Sequence, residues 1–182
     1  MVKMMEMTQE LIQEVMKSEK TEVPIQGNAE KYRSYREAWA RVKQAQQHGF
    51  YIEAVTIEES IISDRLTSYL VDAGLVPRQR RLKDYPTFGN LIITWRRWAN
   101  TQLAPKLDRD RRDKLALLID SVDLWRQKRN QIIHAIVKSH PHTPTTEIEG
   151  FVKLAQDAAE EGMRLARAVC DFSRQLRSMN GT

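Results

Sequence analysis

One cysteine, Cys170, is all that the 182 residues contain. An internal disulfide framework and a cysteine-based zinc site are thereby excluded, and a reducing cytoplasm is the expected setting. Glycine and proline are scarce, at 7 and 6, which argues against a chain of strands and tight turns. No apolar run approaches the roughly 20 residues that span a bilayer, so no membrane partner is expected. The opening Met1-Val2-Lys3-Met4-Met5-Glu6 runs into charge without an apolar leader core. Also missing are a phosphate-binding glycine loop, GxGxxG, HExxH, a cysteine pair and GxSxG. His140 and His142, in a Pro/Thr-rich turn, make an incomplete metal site, so neither metal nor cofactor is expected.

What is present is helical in character. The chain is 41% hydrophobic and 29% charged, and rich in Glu, Lys, Arg, Leu, Ile, Ala and Gln, the residues that lose least on entering a helix. Its length suits one domain with one sizeable core. The net charge of +5 is unevenly spread. Residues 1–30 hold three Lys and six Glu, giving −3, whereas residues 76–114 hold eleven Lys/Arg and four Asp, giving +7. A concentrated basic middle suits a polyanion such as RNA; the plainer alternative is a solvated loop region.

Apolar spacing of three and four predicts the helices. Met4 to Lys20 carries Met4, Met7, Leu11, Ile12, Val15 and Met16 on one face, and Pro24 and Gly27 break the chain after it. A second helix runs from Glu30 to Gln47 and a third from Tyr51 to Ala73, with the stripe Ile52, Val55, Ile62, Leu66 and Leu70. Residues 75–114 are less regular, with a short helix from Asn90 to Asn100. The fourth long helix, Asp113 to Lys138, has the stripe Leu115, Leu118, Val122, Trp125, Ile133 and Ile136. The last, Thr146 to Leu176, carries small residues that allow close helix approach, including Ala155, Ala158 and Gly162. The sum is an all-α bundle of four to five long helices. Residues 1–28 form an N-terminal helix and linker, and residues 29–182 the helical domain.

Winding each helix at 100° per residue puts Glu59 inside the third helix's apolar stripe and Arg129 at the centre of the fourth's. Charges so placed need partners. An Arg129–Glu59 ion pair satisfies both, with Glu58 as the substitute carboxylate. His134 falls about 100° beyond the edge of the stripe.

The segment Arg129-Asn130-Gln131-Ile132-Ile133-His134 resembles the Rx4-6H motif of the HEPN superfamily, in which a polar residue often follows the arginine directly. The resemblance covers roughly residues 30–178, with the first helix as an addition. It implies a HEPN-like helical domain, a homodimer and a metal-independent endoribonuclease. Toxin or defence roles, with an antitoxin or regulatory protein as partner, follow from the same resemblance. In HEPN toxins controlled through a His-x-Tyr sequence the tyrosine is the modification target; Ile136 stands there in this chain.

The residue types suit that chemistry. Cleavage without a metal needs the ribose 2′-OH to attack the adjacent phosphorus and the 5′-oxygen to leave. An imidazole such as His134 moves protons near neutral pH, and a guanidinium such as Arg129 holds two phosphate oxygens. Asn130, one turn before His134, is placed to orient either. Candidate RNA-binding residues are Arg78, Arg80, Arg81, Arg96, Arg97, Arg109, Arg111, Arg112 and Arg126, with Glu59 and Glu58 in support. Trp95 and Trp98 could stack on bases, though core packing is the commoner use of such residues. A non-catalytic HEPN-like module binding nucleotide, RNA or protein, and a structural oligomeriser built on the last helix, are the other readings.

Overall fold

A computed structural model describes residues 29–77, 86–135 and 148–179, with side chains to residue 175. Of the described residues 91% are helical and none is in a strand, an all-α bundle. The helices are α1 (Ala29–Gln47), α2 (Tyr51–Asp72), α3 (Phe88–Trp98), α4 (Arg109–Ala135) and α5 (Ile148–Met179). The N-terminal helix expected over Met4 to Lys20 lies outside the described residues, as do Arg78, Arg80, Arg81, Ile136, His140 and His142.

The two tight helix ends are made by glycines at positive φ. Gly49 (φ 77°) lets Phe50 N–H return to Ala45 O at 2.8 Å. Gly74 (φ 73°) does the same for Leu75 N–H and Leu70 O, also 2.8 Å. Both close the helix with a left-handed residue that a Cβ would disfavour.

Two boundaries depart from the pattern-based expectation. The short helix begins at Phe88, capped by the Thr87 hydroxyl, which accepts from Asn90 N–H. It then continues through a wider π turn, Ala99–Leu103, and a 3-10 turn, Ala104–Lys106. The fourth helix begins at Arg109 rather than Asp113, because the Asp108 carboxylate accepts Arg111 N–H at 2.8 Å and caps it.

The α2–α5 pair is the most extensive helix contact, and α2 also packs on α1 and α3. Close approach is possible because α5 presents Ala155, Ala158, Ala159, Gly162 and Ala166, all buried. Trp125 fills the space beside Gly162, and Trp95 packs against Tyr69 and Phe172; both are fully buried. Trp125 Nε1–H donates to Ala158 O at 2.8 Å, so this large ring is buried without a lost hydrogen bond. Trp95 and Trp98 both pack against Tyr69, so the tryptophans of α3 serve the core rather than a surface stack. The start of α1 is tied to the second half of α2. Lys31 Nζ reaches Asp64 at 2.9 Å and Ser68 at 2.8 Å, and the Tyr35 hydroxyl donates to Asp64. Among the described residues no helix is long and apolar enough to cross a membrane.

Candidate functional site

Helix α4 buries Leu115, Ile119, Val122, Trp125 and Ile132. Arg129 sits on this same stripe, and its Nε meets Glu59 Oε2 of α2 in a half-buried ion pair. The two side chains are 23% and 20% exposed. Burial pushes the Glu59 carboxyl above its ordinary range, and the Arg129 charge pulls it back. Arg129 Nη1–H also donates to Asn130 Oδ1 at 2.9 Å. The guanidinium is thus held from two sides, with further N–H groups of its five unassigned to either partner. His134 is exposed, one turn beyond Asn130 at the end of α4.

The substitute role expected for Glu58 does not arise. Glu58 is fully buried and faces α1 and α5 rather than Arg129. Gln46 Nε2–H donates to its Oε1 at 3.2 Å and to Ala159 O at 2.9 Å. Its Oε2 lies against Trp125 and the bare Cα of Gly162, with no hydrogen-bond partner among the described residues. This desolvation pushes the Glu58 carboxyl up to about 9, although the Gln46 hydrogen bond works the other way. At neutral pH Glu58 is a neutral acid. Two adjacent carboxyls on α2 therefore differ in kind: Glu58 is protonated in the core, and Glu59 faces a cation.

The basic candidates divide by their acidic neighbours. Arg96 reaches Asp120 at 3.0 Å and Asp123 at 3.4 Å, and Arg126 reaches Asp123 at 2.9 Å. These two are therefore neutralised in a strip between α3 and α4. Arg111 pairs with Asp108 at 3.3 Å, and Arg109 lies 3.9 Å from Asp113. Arg112 donates to Leu107 O. The acids Asp110, Asp113, Asp120 and Asp123 alternate with the cations along α4, so charges pair locally there. Arg97 is exposed and has no side-chain partner among the described residues.

Sequence reasoning missed Gln46 and the depth of Glu58. The available signal was Gly162 among the small residues of α5, since a missing Cβ makes room for something. Comparison with known proteins finds no family model that matches the chain, and no curated protein or solved structure that matches it.

Proposed function

We propose that the chain is a metal-independent endoribonuclease of HEPN type, acting as a homodimer through Arg129, Asn130 and His134. The observation that supports this most directly is the double anchoring of Arg129 by Glu59 and Asn130, one turn from an exposed imidazole on the same helix. Anchoring removes the rotamer freedom that a long arginine would otherwise lose on gripping phosphate. It leaves guanidinium N–H groups for the charge that builds on a phosphorane.

The proposed reaction transfers the 2′-OH proton to one imidazole as the 2′-oxygen bonds to phosphorus. The P–O5′ bond breaks, and a second imidazole, from the other copy, protonates the leaving oxygen. The products are a 2′,3′-cyclic phosphate and a 5′-hydroxyl. One histidine is poorly suited to be acid and base in the same step, which gives a physical reason for two copies. Of the basic candidates among the described residues, Arg97 is the exposed one whose side chain is engaged by neither a carboxylate nor a carbonyl. A toxin or defence role, with RNA as substrate, belongs to the same reading.

Purified protein incubated with RNA in excess chelator tests it. Cleavage by wild type and its loss in folded His134→Ala are expected, with cyclic phosphate ends on the fragments. RNA binding with no cleavage in wild type identifies a non-catalytic binding module instead. Equal cleavage by wild type and His134→Ala removes the catalytic assignment.

A further inference from the structure

A cleft of about 670 Å³ lies between the start of α4 and the end of α5. Its floor is apolar, formed by Leu107, Leu115, Leu118 and Phe172, and its rim carries Arg111 and Lys114 beside Asp110 and Asp171. We infer that this cleft is the docking groove for the chain's own N-terminal segment, Met4 to Lys20, bound as an amphipathic helix.

Three features select that occupant. Met4, Met7, Leu11, Ile12, Val15 and Met16 form one apolar stripe, and a 17-residue helix bearing it needs a surface to cover. Methionines at three of these positions adapt to an irregular groove.

The second feature is reach. The segment joins α1 where Lys31 holds Asp64 and Ser68 of α2. One residue on, the Tyr69 ring lies 6.2 Å from Phe172, a floor residue of the cleft. The intervening Thr21 to Asn28 spans up to roughly 28 Å when extended, more than the width of two helices.

The third is charge. The leading 30 residues carry −3, and Glu6, Glu10 and Glu14 recur at four-residue spacing along one side of the apolar stripe. The rim offers Arg111 and Lys114 at the first turns of α4, where the helix dipole is also positive. Their present partners, Asp108 and Asp110, are exposed neighbours on the same chain segment, of the weak kind a docked carboxylate displaces. Asp110 and Asp171 share the rim, engaged by Lys114 and Arg174, which leaves Arg111 as the rim cation whose own partner, Asp108, lies outside it.

The cleft lies roughly 20 Å along α4 from Arg129, so the inference stands apart from the ribonuclease reading. Docking would cover Arg111 and Lys114 and remove them from any polyanion surface.

Hydrogen exchange of the full-length protein, read on peptides spanning residues 4–16, tests it. Exchange at least tenfold slower than in a synthetic peptide of residues 1–20 is expected. Leu11→Glu/Val15→Glu should abolish the protection while leaving peptides of 88–135 unchanged. Arg111→Glu/Lys114→Glu should reduce it several-fold, and adding Glu10→Lys/Glu14→Lys should restore it. Peptide-like exchange in wild type overturns the inference, and so does protection indifferent to both rim reversals. Protection that fades on dilution assigns the segment to a second copy and overturns docking within one chain.

Discussion

A carboxyl oxygen of Glu58 occupies the space that a side chain at Gly162 would need: an ideal Cβ there collides with Glu58 Oε2 and lies 2.6 Å from Trp125 Cζ2. The glycine of α5 and the buried acid of α2 are thus one packing unit. Gly162→Ala must displace either the carboxyl or the indole, and neither sits at the free end of an exposed side chain. A loss of about 2–3 kcal/mol is expected, read as a fall in Tm of roughly 5–10 °C. An unchanged Tm would show that the seam is looser than described.

Glu58 also gives stability a pH dependence with a definite sign. Its folded value of about 9 lies above the ordinary carboxylate value near 4.5, so between those values the folded state binds the extra proton. Its contribution is therefore fully present below about pH 4.5 and is lost progressively as pH rises toward 9. Denaturant unfolding at pH 5, 6.5 and 8 should show wild type weakening with pH, by at most about 1.4 kcal/mol per unit from this group. Glu58→Gln keeps the shape without the proton and should flatten the trend. A variant as pH-sensitive as wild type contradicts the assignment.

Breaking the Arg129–Glu59 pair from either side should cost about 1–3 kcal/mol, because each removal leaves a half-buried charge with its partner gone. Removing both, as Glu59→Gln/Arg129→Met, should cost less than the sum of the singles. A coupling near zero in that cycle would show that the two groups touch without holding each other.

The neighbouring arginines of α3 should behave differently toward RNA. Arg96 is spent on Asp120 and Asp123, whereas Arg97 projects into solvent. Arg97→Ala should weaken RNA binding and lower the salt slope by about one, and Arg96→Ala should do neither to that extent. Titrations at several salt concentrations separate the two. Equal slopes for both variants would remove Arg97 from the binding surface.

Helices were legible in the sequence because three–four spacing is a direct consequence of one-sided burial. Glu59 and Arg129, each placed on a stripe by simple winding, do meet. Glu58 escaped the same reasoning because α2 is central: it buries Ala54, Val55, Glu58, Ile61 and Ile62, more than one face. A stripe drawn through Ile62, Leu66 and Leu70 cannot show that. The start of α4 was misplaced for a local reason, since Asp108 reads as one more charge in a charged run yet serves as a cap. The fates of Arg96 and Arg97 differ by 100° of rotation, which matters only once the position of α4 is known. Charge totals over residues 76–114 were correct and uninformative on that point.

The partnership of α2 with α5 spans about a hundred residues of chain, so on a ribosome adding roughly 5–20 residues per second the central helix waits several seconds for its cover. Through that interval Glu58 is in water and ionised at neutral pH. Arrival of α5 seals it as the neutral acid, so each molecule takes up a proton from the surrounding buffer as the two helices dock.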